Sequence, residues 1–262
     1  MAIFDLLKPV PGLRVMVTGG AAGIGLGIAK AFDEVGARVY VCDVDPAAVA
    51  AVKAAHPSIG AGVANVAERT SVDRFVDDAA TALGGLDVLV NNAGIAGPTG
   101  PIEDLEPDEW DRTISTNLNS QFYVLRRAVP VLKASPAASI VAMSSVAGRL
   151  GYPFRTPYAS TKWAIAGLVK SLAIELGKDG VRVNAVLPGL VAGPRIDRVI
   201  AARAQTLGLG FDEMKAEYLS KISLGRMVTE SDIAAVALFL CSPAASNITG
   251  QSISVDGNVE HL

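Results

Sequence analysis

Short β-branched runs alternate with longer helical patterns from Arg14 almost to the end of the chain, and this alternation restricts the fold more than any other feature. Residues 14–19, 38–43, 59–65, 86–92, 138–145, 181–188 and 252–256 read as strands. Between them, 23–35, 46–55, 70–83, 107–133, 158–176 and 230–241 read as helices, with 107–133 as one continuous tract and Ser71 as the N-cap of 70–83. Repeated βα units imply parallel strands joined by right-handed crossovers, with helices on both faces of the sheet. Seven such strands predict a doubly wound sheet. No linker or repeat divides the chain, so 1–262 reads as a single domain.

Composition narrows the function classes. The 262 residues are 50% hydrophobic, enough for a core without disulfide or metal staples. The net charge of −3 offers no basic footprint for nucleic acid. Cys42 and Cys241 fit no metal or redox spacing, and His56 and His261 stand alone, so no metal site is expected. The opening MAIFDLLKPVPG carries Asp5, Lys8 and two prolines and does not read as a signal peptide. The uncharged run 233–255 is broken by Ser242-Pro243, Asn247 and Gly250-Gln251, so it reads as helix, loop and strand rather than a membrane span. A soluble cytoplasmic protein is the expectation.

The segment Thr18-Gly-Gly-Ala-Ala-Gly-Ile-Gly25 follows the first strand and opens a helix. Gly19 permits a tight turn, Gly23 a close approach to a diphosphate, and Gly25 close helix–strand packing. The helix N-terminus supplies N–H groups for phosphate, so Gly19, Ala22, Gly23, Ile24 and Gly25 are read as cofactor-binding. Asp43 ends the second strand, where a carboxylate accepts ribose hydroxyls and repels a 2′-phosphate; that favours NAD over NADP. The predicted class is thus a Rossmann-type, mostly parallel seven-stranded α/β sheet.

With these motifs the sequence resembles the short-chain dehydrogenase/reductase family. TGGAAGIG is similar to that family's glycine pattern. Asn91-Asn92-Ala93-Gly94 follows the fourth strand, Ser145 precedes Tyr158 by 13 residues, Tyr158-Ala-Ser-Thr-Lys162 matches Tyr-x-x-x-Lys, and Pro188-Gly189 follows the sixth strand. The likeness runs from about Gly12 to Gly257. It implies a catalytic set of Asn117, Ser145, Tyr158 and Lys162, with Asn117 anchoring a water that links Lys162 to solvent. It also implies cofactor contacts at Asn65, Val66, Asn92, Ala93, Gly94, Tyr158, Lys162, Pro188, Gly189 and Val191, with Asn92, Ala93 and Gly94 along the adenosine side. Asn65 stands where the family usually has Asp, and Gly193 where many members carry a cofactor-touching Thr. A homotetramer or homodimer is a further implication.

The residues support the same chemistry. Tyr158 and Lys162 lie one helical turn apart and can share a face. A nearby ammonium favours tyrosinate, so Tyr158 can act as base in alcohol oxidation and acid in carbonyl reduction. Ser145 can hydrogen-bond the substrate oxygen. Arg149, Arg155 and Arg195 either meet an anionic group on the substrate or face solvent or a neighbouring subunit. The polar helical stretch 196–221, within 190–227, reads as a substrate lid, a solvated hairpin or an oligomer contact.

The expected function is hydride transfer between a secondary alcohol (a polyol, sugar-like or hydroxy compound, anionic or not) and NAD, on a small-molecule substrate. The alternatives are a 3-oxoacyl-thioester (acyl-carrier-protein) reductase, normally NADPH-dependent, and a non-catalytic NAD-binding regulatory module.

Overall fold

A computed structural model describes residues 3–262; Met1 and Ala2, within the predicted domain span, lie outside the described residues. Seven strands form one sheet: β1 Arg14–Thr18, β2 Arg38–Asp43, β3 Gly60–Val63, β4 Val88–Asn91, β5 Ser139–Met143, β6 Arg182–Pro188 and β7 Ser252–Val255. Their order is β3-β2-β1-β4-β5-β6-β7, and every adjacent pair is parallel. Ten α-helices accompany them among the described residues: α1 Ile3–Leu6, α2 Gly23–Glu34, α3 Pro46–Ala55, α4 Arg69–Leu83, α5 Pro107–Ile114, α6 Ser120–Leu132, α7 Thr156–Leu176, α8 Pro194–Leu207, α9 Phe211–Ser220 and α10 Glu230–Leu240. The chain winds outward from β1 to β3 and then returns to β4 on the other side of β1. That reversal opens a crevice at the carboxyl ends of β1 and β4, where sheets of this kind bind ligands.

The strand pleat sorts the core into two layers, because alternate residues point to opposite faces. Met16, Leu89, Ile140 and Leu187 pack with Phe75, Val124, Ile165 and Val169 beneath α4, α6 and α7. Val15, Val17, Val90, Val141 and Val186 pack with Ile28, Phe32, Ile233 and Ala237 beneath α2 and α10. Because β4 and β5 are buried on both faces, their sequences read as unbroken apolar runs. Cys42 and Cys241 belong to this packing; burial pushes their thiols up to about 12 and about 11, so neither is a thiolate.

At the amino edge of the sheet, Arg14 and Asp87 tie β1 to β4. Arg14 Nε and Nη2 donate to Asp87 Oδ2 and Oδ1 at 2.8 and 2.6 Å, and Ser135 Oγ donates to Oδ1 at 2.6 Å.

Three local readings need correction. The tract 107–133 is not one α-helix: α5 and α6 are joined by a π-helical turn, Ser115–Asn119, which carries Asn117. Ser71 does not cap α4, which begins at Arg69 after Glu68; its Oγ accepts instead from the Asn65 N–H at 3.0 Å. α7 begins at Thr156, two residues before Tyr158, because Pro157 suits a first helical turn.

Helices α8 and α9 separate at Gly208, which has φ +69°. Their inner faces are apolar: Ile200, Ala204, Met214 and Tyr218 pack with Val146, Ala147, Leu190, Val259 and Leu262. This pair therefore sits on its own small core, formed with the turn after β5 and the end of the chain.

Candidate active site

The glycine turn is held by sterics and by a brace from β4. Gly19 and Gly23 have φ of +59° and +53°, which L side chains rarely adopt. A Cβ on Gly25 would overlap the Gly19 carbonyl oxygen, so no other residue lets α2 pack this closely. Gly20 is equally constrained, since a Cβ there would stand 2.7 Å from Val41 Cβ. It was missed because the pattern assigns that position to any residue; the doubled glycine was the available signal. Thr18 was also missed. Its buried Oγ1 accepts from the Asn92 and Ala93 N–H groups at 3.0 Å each and donates to Asn91 Oδ1. Asn92 Nδ2 donates to the carbonyls of Thr18 and Gly19, both at 3.0 Å, so this amide braces the turn from beneath.

The N-terminus of α2 is open. Ala22 is its N-cap, in extended conformation, with no side-chain cap and no acid in the first turn. Ala22 and Gly23 are exposed, and Ile24 packs against the α2 side of the core. Asp43 lies beside the turn, its Oδ2 accepting from the Ala21 N–H at 3.3 Å. Asn65 Oδ1 accepts from the Ala67 N–H at 3.1 Å while its Nδ2 donates to Glu68, so its amide oxygen is turned onto its own loop. Val66 is buried in the core beside α4.

On the other side of the crevice, Pro188 ends β6. A Cβ on Gly189 would stand 2.7 Å from Asp256 Cα, which explains the glycine. Val191 bridges to Val228. Gly193 has φ +143°, a conformation a Thr would adopt only under strain, so the departure from the family pattern has a backbone cause.

Asn117, Ser145, Tyr158 and Lys162 converge at the carboxyl ends of β4 and β5. Asn117 is fully buried; its Oδ1 accepts from the Ile95 N–H at 2.7 Å, and its Nδ2 donates to the Ile95 carbonyl and to Thr161 Oγ1. Such π turns recur at functional sites. Ser145 follows the carboxyl end of β5, and its Oγ accepts from the Ala147 N–H at 3.2 Å. Lys162 is 3% exposed; its Nζ donates to the Met143 carbonyl at 2.8 Å and lies 5.6 Å from the Tyr158 ring centroid. Ser144 donates to the Lys162 carbonyl at 2.7 Å and so clamps α7 to the end of β5. Gly94 leaves room at the same point, because a Cβ there would approach Asn117 Oδ1 to 3.1 Å and Lys162 Nζ to 3.7 Å.

The electrostatics ease ionisation of Tyr158. Burial pushes the Tyr158 phenol up, but Lys162, Arg195, the Ser145 hydrogen bond and Arg155 pull it down further, and the net direction is below the ordinary tyrosine value. Burial also pushes the Lys162 ammonium down, against the pull of Tyr158.

The three arginines part company. Arg149 pairs with Asp256 at 2.7 Å and bonds the Val259 carbonyl, and it does not line the cavity between the loop after β4 and α8. Arg155 and Arg195 do line that cavity, of about 340 Å³, together with Arg198, which was not singled out from the sequence. Arg195 donates to the Gly94 carbonyl at 3.1 Å across it. Arg155 stands 5.2 Å from the centroid of Tyr158 and 5.3 Å from that of Tyr152.

A family profile described as "Enoyl-(Acyl carrier protein) reductase" matches residues 19–259. The D-beta-hydroxybutyrate dehydrogenase of Cupriavidus necator is 35% identical over 251 residues, 94% of this chain and 97% of that protein. The chain belongs to the short-chain dehydrogenase/reductase family. The 3-oxoacyl-[acyl-carrier-protein] reductase FabG of Staphylococcus aureus, another relative, is 36% identical over 249 residues, 93% of this chain and 96% of that one. The crystal structure of NAD+-bound xylitol dehydrogenase superposes with a TM-score of 0.91 at 26% identity, covering 95% of this chain and 99% of that one. This short-chain dehydrogenase/reductase is accordingly an oxidoreductase acting on hydroxy compounds, and members of its family bind nicotinamide cofactors. The residues fit such a cofactor: side chains on the glycine turn would fill or distort the cradle, and the helix end beyond it is uncapped and exposed. Among the described residues, no helix is long and apolar enough to cross a membrane.

Proposed function

We propose that this enzyme oxidises a secondary alcohol with NAD, or runs the reverse reduction, with Tyr158 as the general acid/base. Overall, CH–OH and NAD+ become C=O, NADH and a proton. The observation that carries the reading is the position of Tyr158, whose ring centroid lies 5.6 Å from Lys162 Nζ and whose phenol is drawn below its ordinary value by Lys162, Arg195, Ser145 and Arg155 against burial.

NAD, when bound, supplies the hydride acceptor. The glycine turn from Gly19 to Gly25 and the α2 N-terminus would hold its diphosphate. Asp43 would take its adenosine ribose, and no Lys or Arg within the turn offsets that carboxylate against NADP. Asn65, Val66, Ala93, Gly94, Pro188, Gly189 and Val191 would complete the cradle, with Asn92 bracing it. Ser145 Oγ would hydrogen-bond the substrate oxygen and hold it against the Tyr158 hydroxyl. Tyr158 would take the hydroxyl proton. Lys162 would stabilise the phenolate and bind the nicotinamide ribose. Asn117 would keep the loop at Ile95 in place beside Lys162. Helices α8 and α9 would cover the substrate.

Exposed Phe122, Trp163 and Ile174 on α6 and α7, at 57%, 52% and 82%, support an oligomer formed through these helices. The Tyr158→Phe variant tests the chemistry. Turnover of alcohols should fall by about 10²–10⁴-fold while NAD binding persists. Retained turnover would remove Tyr158 as the base.

A 3-oxoacyl-thioester reductase is the second reading, favoured by the likeness to the Staphylococcus aureus reductase. Turnover of 3-oxoacyl thioesters with NADPH, above any alcohol with NAD+, would establish it.

A further inference from the structure

Three other partly buried guanidiniums are settled by acceptors. Arg14 has Asp87, Arg149 has Asp256, and Arg182 has the carbonyls of Leu240 and Ala245. Arg155 is not settled in this way. It is 2% exposed, and its Nη2 donates to the Ala96 carbonyl at 2.7 Å, but its Nε and Nη1 have no acceptor among the described residues. The rings of Tyr152 and Tyr158 flank it and contribute cation–π attraction. A ring face, however, does not accept the in-plane N–H bonds of a guanidinium, and a buried donor left unpaired is costly.

The surroundings point the same way. Arg155, Arg195 and Arg198 line one cavity, and no Asp or Glu lines it with them. Arg203, a second buried guanidinium with an unpaired Nε, sits behind Tyr152 and adds positive charge without entering the cavity. A group reaching Arg155 competes with little water, which strengthens its attraction to charge.

We propose that this cavity is a subsite for a carboxylate, and that the natural alcohol is a short hydroxy acid held by Arg155 and Arg195. The proposal rests on the reading of Tyr158 as the base. The Arg155 guanidinium carbon lies 5.2 Å from the Tyr158 ring centroid, so only a few atoms can separate the anionic group from the reacting hydroxyl. The substrate is therefore a small acid rather than a long acyl chain. Arg155 and Arg195 are its specificity residues.

The test separates binding from chemistry. Malonate and its neutral counterpart malonamide are titrated calorimetrically into the protein, with and without NAD+, for wild type, Arg155→Met and Arg195→Met. Malonate should bind, malonamide should not, and each variant should weaken malonate by about tenfold or more while NAD+ affinity holds. Arg195→Met, on an exposed helix face, keeps the test valid if Arg155→Met fails to fold. Malonate binding that is absent, or equal in the variants, overturns the proposal. Inorganic phosphate binding more tightly than malonate overturns the carboxylate assignment in favour of a phosphate ester. In turnover, 3-hydroxybutyrate should exceed 3-hydroxybutyramide by about a hundredfold in kcat/KM, and equal turnover of the two overturns the proposal. Arginine-dependent malonate binding without oxidation of any alcohol would instead remove the Tyr158 reading and leave the anion subsite standing.

Discussion

Asn117 grips Ile95 by both ends of its amide, accepting from the Ile95 N–H at 2.7 Å and donating to the Ile95 carbonyl at 3.0 Å. This contact joins the π turn between α5 and α6 to the loop after β4, directly beside Lys162. Replacing Asn117 by Ala leaves both Ile95 backbone groups without their partner. The expected loss is about 2–3 kcal/mol of stability, together with a fall in kcat. Chemical denaturation and steady-state kinetics measure the two. Unchanged stability would show that the loop does not depend on this amide.

The direction of the Tyr158 shift sets a pH dependence. Burial opposes ionisation, but Lys162, Arg195, Ser145 and Arg155 outweigh it. With Tyr158 as the proposed base, oxidation would need the phenolate, so kcat/KM should rise with pH and level off below the ordinary tyrosine value of about 10. Reduction would then need the phenol and should fall along the same limb. Arg195→Met removes one of the cations, and its limb should move to higher pH. A limb that stays in place would mean that Arg195 does not act on Tyr158.

Asp43 lies at the end of β2 beside Ala21, where the ribose of the cofactor would sit. Asp43→Ser removes a negative charge that repels a 2′-phosphate. The ratio of kcat/KM for NADP to that for NAD should rise by about tenfold to a hundredfold. A ratio unchanged by the substitution would place cofactor choice elsewhere.

Asp87 tests the amino edge of the sheet. Burial pushes its carboxyl up, but bonds from Arg14, Ser135 and the Arg14 backbone N–H hold it below the usual value. A depressed pKa stabilises the fold above the unfolded value of about 3.9, and that stability is lost as pH falls through the folded value. Asp87→Asn should cost about 1–3 kcal/mol at neutral pH and flatten the acid limb of a stability profile. An acid limb as steep as that of the wild type would assign the pH sensitivity to other carboxylates.

Much of the site was legible because its spacing is local. Tyr158 and Lys162 share a helix face, and TGGAAGIG lies between a strand and a helix, so periodicity alone pairs them. Ser71 was misplaced because a hydroxyl near a helix start can serve either the helix or the preceding loop, and the loop's Asn65 N–H took it. The π turn was invisible because apolar periodicity over 107–133 does not mark one extra residue in a single turn. Only the packing of Asn117 against Ile95 and Thr161 rewards the extra residue.

By itself the sequence determined the parallel βα winding and the glycine turn, because each depends on periodicity or on residues a few positions apart. The tertiary structure decided which arginines face the cavity. Arg149 and Arg155 are six positions apart in one irregular segment, and no periodicity orients either. Asp256, at the end of β7, lies 107 residues beyond Arg149 in sequence, yet it draws that guanidinium away. Tyr152 and Tyr158 enclose Arg155 instead and keep its charge against the Tyr158 ring. Charge pairing over such separations comes into being only once the sheet has assembled.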